Sequence, residues 1–204
     1  MLLNEIAQFT IAIGLEDITA VIELVEFSFS GFIYQWSARK KMDLAIRHKE
    51  KGARHFNDRN HAEAAYRFTK AIKILCSIPI AVESKAELVD DVPRTDLRAL
   101  TSKLYNNLSS CYFRENVYDL VSPLCQKVLE FEPNNVKALY KLGVAYKMDR
   151  DFDRALDALS KVIKIEPQNK ACEHHLAEVR DELKKANAKM DDIMRKMFVG
   201  SINK

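Results

Sequence analysis

Glycine and proline are scarce in this 204-residue chain, five of each, which argues against a turn-rich sheet sandwich and against a disordered, low-complexity polymer. Cysteine is thin as well. Cys76, Cys111, Cys125 and Cys172 lie far apart with no C-x-x-C pair, which excludes zinc-ribbon and thioredoxin-like spacings and fits buried thiols in a reducing compartment. No run of eighteen or more apolar residues occurs, so nothing in the sequence reads as a membrane span. The apolar amino terminus lacks a basic leader and carries Glu5, Glu16 and Asp17, so a secretory signal is not expected and the expected location is cytoplasmic. A charge excess of either sign is also missing. Lys and Arg total 32 against 29 Asp and Glu, a net +3, with no dense basic block of the kind nucleic acid requires.

Catalytic spacings are absent too: there is no Ser/His/Asp arrangement, no glycine-rich phosphate loop and no paired carboxylate set. No cofactor is implied. His174 and His175 are adjacent on a predicted helix, so they are expected to face different directions and not to form a metal pair, and no metal site is expected.

What is there is a repeat. Residues 136–169 place Leu139, Leu142, Gly143 and Tyr146 on one helix, Ala155 and Leu159 on a second, and Pro167 after it. Bulky residues would fill the space between antiparallel helices, Gly143 and Ala155 would let the backbones approach, and Pro167 would stop the second helix. Residues 102–135 repeat this register with Tyr105, Leu108, Ser109, Tyr112, Val121, Cys125, Val128 and Pro133. A third copy over about 45–78 keeps Gly52, Ala64, Phe68 and Ala71, but its closing proline gives way to an insertion reaching about residue 101. Pro93 is expected to open an extended helix, because Leu97, Leu100, Leu104, Leu108 and Cys111 continue one apolar stripe. Pro123 falls inside the second helix of the middle copy, where it removes one hydrogen bond. Segment 169–198 carries an apolar stripe from Cys172 to Met197 at three-and-four spacing and reads as a capping helix, with 199–204 as a flexible tail. Its outer half, with Lys184, Lys185, Lys189, Arg195 and Lys196, is also a candidate basic amphipathic target for calmodulin.

This is the tetratricopeptide pattern, and residues 38–198 resemble the tetratricopeptide-repeat domain of FKBP-type immunophilin co-chaperones. The resemblance rests on Lys49-Glu50-Lys51-Gly52, on the insertion and extended helix, on Asn106-Asn107-Leu108, and on Asn134-Asn135-Val136-Lys137-Ala138-Leu139-Tyr140. Met194-Arg195-Lys196-Met197 is similar to the end of the membrane-anchored branch. The resemblance implies a mainly all-α fold: a right-handed superhelix of three tetratricopeptide helix pairs with a long C-terminal capping helix. Upstream, residues 1–34 would hold a short β remnant, since 17–27 alternates as a strand and is similar to the last strand of the family's isomerase domain. About thirty residues cannot enclose that domain's catalytic cavity, so the chain is expected not to be an enzyme.

The resemblance further implies a co-chaperone or adaptor that takes the acidic carboxyl terminus of heat-shock protein 90 or 70 in a concave groove. Family members grip that Glu-Glu-Val-Asp end with a carboxylate clamp, and four of its five positions fall on Lys49, Asn107, Lys137 and Lys141. The fifth falls on Ala53, where the family has Asn, so one amide donor is missing. Two alternatives stay open: a scaffold for some other ligand, and the C-terminal part of a peptidyl-prolyl cis-trans isomerase.

Overall fold

The computed structural model describes residues 6–13, 16–23, 31–79 and 87–202, with side chains over 31–79 and 87–197, in two units, Met1–Trp36 and Ser37–Lys204. In the first unit, strands β1 (Ile6–Ile13) and β2 (Glu16–Glu23) pair antiparallel, Ile6 opposite Glu23 and Ile13 opposite Glu16. β2 occupies most of the stretch expected to be extended; residues 24–27 of that stretch lie outside the described residues. β1 had no counterpart in the sequence reading, because its near-continuous apolar run does not separate strand from helix by period.

The second unit is mainly all-α. Helices α1 (Ala38–Asn57), α2 (His61–Cys76), α3 (Arg94–Arg114), α4 (Tyr118–Phe131), α5 (Val136–Met148), α6 (Phe152–Ile165) and α7 (Lys170–Ile202) follow one another, each packed on the next. They form three antiparallel hairpins, α1–α2, α3–α4 and α5–α6, stacked into a helical superhelix and followed by α7.

One spacing explains why each hairpin closes. In every repeat a small residue on the first helix faces a larger one sixteen positions later on the second. An ideal Cβ on Gly52 would lie 2.7 Å from the Phe68 ring, and one on Gly143 would lie 2.7 Å from Leu159 Cγ. In the middle repeat the same positions hold Ser109 and Cys125, a slightly larger group against a smaller partner, both buried. Seven residues after each small position the chain turns through a left-handed residue, Arg59, Asn116 or Arg150, with φ of 60°, 58° and 60°. Each turn closes with the same backbone bond at 2.9 Å: Asn60 N to His55 O, Val117 N to Tyr112 O, and Asp151 N to Tyr146 O. Asn60 and Asp151 then cap the second helices through their side chains, whereas Val117 in the middle repeat offers no capping side chain.

The joints between hairpins also repeat. Glu132-Pro133-Asn134-Asn135 and Glu166-Pro167-Gln168-Asn169 both end on an Asn whose side chain caps the next helix, at Ala138 N and Cys172 N. The same Asn side chain donates back to Glu132 or Glu166. After the first hairpin the insertion takes over. Its described end is a tight ladder of β3 (Leu88–Val89) and β4 (Val92–Pro93), turned by Asp90 and Asp91 at positive φ. Asp90 accepts from the Ala38 amide at the start of α1, so a carboxylate sits at the positive end of that helix dipole. Pro93 caps α3 as expected, and α4 runs through Pro123.

The expected end of the capping helix at 198 and the flexible tail from 199 are corrected: α7 continues to Ile202. Nothing in 198–202 is a proline, and Gly200 alone costs a helix only about 1 kcal/mol. The apolar stripe of α7 divides in two. Cys172, Leu176 and Val179 are buried in the core of repeat three, while Met190, Ile193, Met194 and Met197 are exposed. Among the described residues no helix is long and apolar enough to cross a membrane.

Candidate functional site

The four candidate side chains come from the first helix of each hairpin: Lys49 from α1, Asn107 from α3, and Lys137 and Lys141 from α5. Asn107 and Ala53, one turn along α1 from Lys49, line one small hollow of about 140 Å³ with Phe56, Asn57, Phe68 and Ser110. Ser110 then links this hollow to α5, because its hydroxyl accepts from Lys141 Nζ at 2.8 Å. Lys137 lies one turn before Lys141 and its charge acts on Lys141. The degenerate position, the amide and the deeper lysine are therefore contiguous across three helices. Lys49 is half-buried and Lys137 exposed, and among the described residues neither has a hydrogen bond or ion pair.

Lys141 is not a free ammonium at the surface of α5. It is 6% exposed and its Nζ donates to Asn106 O (2.8 Å), Asn106 Oδ1 (2.8 Å), Ser109 Oγ (2.6 Å) and Ser110 Oγ (2.8 Å). Three ammonium hydrogens are shared among four acceptors. Both serine hydroxyls donate in turn to Asn106 O, so they need no further partner. No carboxylate takes part. Burial pushes the Lys141 ammonium down to about 8, the neighbouring Cys125 and Cys111 thiols act in the opposite sense, and Lys137 adds to the depression. Burial also drives the Cys111 thiol up to about 12 and raises Cys125.

Asn106 and Ser109 stand in the sequence only as parts of the repeat and of the family motif, and nothing there marks them or Ser110 as the partners that hold Lys141. Their spacing alone was available: positions i, i+3 and i+4 put the three side chains on one face of α3. What the sequence could not supply was that a side chain of α5 would enter that face.

A pH dependence follows. Below about pH 8 Lys141 is protonated in both folded and unfolded chains. Between about 8 and its ordinary 10.5 the folded chain has released the proton and the unfolded chain keeps it, so stability rises with pH. Cys111, Cys125 and Cys172 oppose this as the pH nears the ordinary thiol value of 9.0, because the unfolded thiols ionise and the folded ones, raised by burial, do not. The lysine contribution is therefore read as the difference between the parent and Lys141→Met, which share the thiols: between about pH 8 and 9 the parent should gain about 1 kcal/mol relative to the variant. Urea unfolding of both from about pH 7.5 to 9 checks this; a difference that does not change with pH would show that the ammonium is not depressed.

The paired small and large positions, the shared turns and the stacked hairpins define a tetratricopeptide-repeat domain. Residues 124–157 match the Tetratricopeptide repeat family. The chain is 28% identical over 165 residues to FK506-binding protein 59 of Drosophila melanogaster, covering 81% of this chain and 35% of that protein. It spans about a third to a half of the length of the FK506-binding relatives it matches. Among solved structures it is similar to the C-terminal TPR-containing domain of a Plasmodium falciparum FK506-binding protein, with a TM-score of 0.68 and 26% identity over 77% of this chain and 99% of that one. It also shares its fold with the first TPR of Spaghetti (RPAP3) bound to the HSP90 peptide SRMEEVD, at a TM-score of 0.54 and 20% identity over 70% of this chain and 95% of that one.

Proposed function

We propose that the domain is a co-chaperone adaptor whose groove holds the free acidic carboxyl terminus of a heat-shock protein 90 or 70 class chaperone. The observation that carries this reading is the contiguity of Ala53, Asn107 and Ser110 in one hollow, tied through Ser110 to Lys141. Lys49 and Asn107 would donate directly to carboxylate oxygens, and Lys137 would supply an exposed charge. Lys141 would act from beneath, as a buried positive charge with no anion of its own, which an incoming carboxylate compensates. The hollow is partly apolar, with Phe56 and Phe68 in its wall, and suits a small aliphatic side chain near the ligand's end. The likeness to a TPR domain bound to an HSP90 peptide supports the choice of ligand.

The chain is read as a binding module, not a catalyst, working in the cytoplasm. Calmodulin binding at the outer half of α7 gains no support from the relatives named above. A second reading has a specific observation behind it. Ala53 offers no amide and Lys141 spends its hydrogens internally, so the groove has fewer free donors than a full clamp and would admit other acidic chain ends with comparable affinity.

Calorimetry with a peptide ending in Glu-Glu-Val-Asp tests both. The parent should bind the free acid and not the C-terminal amide. Lys137→Glu and Lys49→Glu should each weaken binding by about tenfold or more, and Ala53→Asn should tighten it by about the same factor, since a hydrogen bond to a charged group contributes roughly 1.5–3 kcal/mol. Equal binding of acid and amide, or none in any version including Ala53→Asn, would sink the chaperone reading. Equal affinity for unrelated acidic termini would favour the second.

A further inference from the structure

Beyond the groove, α7 carries a second constellation that the peptide reading does not use. His174, His175 and Glu178 stand at i, i+1 and i+4, and Glu178 lies between the two imidazoles in helical angle, about 40° from one and 60° from the other. Its Oε1 is 3.6 Å from His174 Nδ1 and its Oε2 is 3.2 Å from His175 Nδ1. The three ligand atoms all lie within 4.8 Å of one another. The expectation that the adjacent histidines could not act together thus misses the third residue, which bridges them. Ligands held at zinc distances of about 2.0–2.1 Å in a tetrahedron are about 3.3 Å apart, close to the two separations seen here.

The spot already holds a positive charge. Lys147 reaches across from the last turn of α5, and its Nζ lies 2.7 Å from Glu178 Oε2 and 3.0 Å from His175 Nδ1. His175 is braced from behind by the Tyr140 ring at 5.8 Å between centroids, which limits its rotation, whereas His174 is exposed and free to adjust. Glu178 and Lys147 also line a hollow of about 440 Å³, so the carboxylate and the ammonium are both reachable from solvent.

We propose that His174, His175 and Glu178 form a divalent transition-metal site, best matched to Zn²⁺, and that Lys147 is the internal cation the metal displaces. Two imidazole nitrogens and one carboxylate oxygen are the ligand types zinc takes, with the fourth position left to water. Mg²⁺ and Ca²⁺ prefer all-oxygen shells and are disfavoured by the imidazoles. Loading removes the Lys147 contact that ties α5 to α7 and releases its ammonium to solvent. The site is thus an exchange between an ion pair linking two helices and a metal held by one.

Zinc titration of the full chain by calorimetry, with Mg²⁺ as control, tests this. The parent should take up one Zn²⁺ and no Mg²⁺. His174→Ala, at a position 72% exposed where the fold has nothing to lose, should weaken uptake by about tenfold or more. Lys147→Met, which removes the competing cation and keeps the stem, should tighten it by about tenfold or more. Zinc uptake unchanged in His174→Ala would place the metal elsewhere, such as on the exposed Cys76, and overturn the proposal. Failure of Lys147→Met to take up zinc would overturn it as well, since that variant keeps all three ligands and lacks the competitor.

Discussion

Lys141→Glu is expected to destabilise the helical domain by about 3–5 kcal/mol, the cost of placing an uncompensated charge where a bonded one stood. The new carboxylate would face Asn106 O and Oδ1, two acceptors, and could recruit the Ser109 and Ser110 hydroxyls only by taking them from Asn106 O. Lys141→Met behaves differently. It keeps most of the volume and removes an ammonium that is buried without a counter-ion. Its stability should stay within about 1 kcal/mol of the parent, because both hydroxyls retain their bonds to Asn106 O. Urea unfolding of the two variants checks the pair. A fully stable Lys141→Glu would mean the side chain is at the surface and the four-acceptor cradle is wrong. The same comparison guards the binding experiment: loss of tail binding in Lys141→Glu reports loss of fold, so the ammonium's part in binding is read from Lys141→Met, which should weaken tail binding less than Lys137→Glu does.

The second large effect is expected at Gly143. A β-carbon there would meet Leu159 Cγ at 2.7 Å, Cδ2 at 2.8 Å and the Leu159 backbone nitrogen at 3.3 Å. Leu159 is fully buried and has no vacant space to retreat into, and the backbone atom cannot rotate away. Gly143→Val should therefore cost about 3 kcal/mol, because overpacking of roughly 1–3 kcal/mol is joined by the strain of a branched side chain between two close helices. Gly143→Ala should cost less, since the gain of about 1 kcal/mol in helix propensity offsets part of the clash. A double-mutant cycle isolates the contact. Leu159→Ala alone should cost about 2–5 kcal/mol, and Gly143→Ala combined with it should cost less than the sum by about 1 kcal/mol or more, as the new methyl occupies the vacated space. Additive costs would show that the two residues do not touch.

Much of the scaffold was legible because its determinants lie close in sequence. Gly52, Ser109 and Gly143 announce the close approach of paired helices, and the Glu-Pro-x-Asn joints announce a stop followed by a cap. Each of these acts within one hairpin or one turn, so it survives as a pattern at fixed spacing. The end of α7 was misplaced for the opposite reason: 198–202 contains no strong stop signal, and helix termination without one is settled by weak local balances. β1 was missed because an apolar run without clean alternation is compatible with either regular structure.

The candidate site divides along the same line. Sequence by itself determined the type of domain and its hairpins, because a repeat dictates the angular place of each residue on its helix, and the family resemblance named the four candidate positions. Only the tertiary structure decided what those side chains do. Lys141 is held by Asn106, Ser109 and Ser110 from a helix more than thirty residues away, and Lys147 reaches His175 and Glu178 across a similar gap. A lysine stem is long enough to point toward solvent or to cross to a neighbouring helix, and the choice rests on whether the facing helix offers oxygen acceptors at its tip. That information belongs to the packing of distant segments and is not written at either position alone.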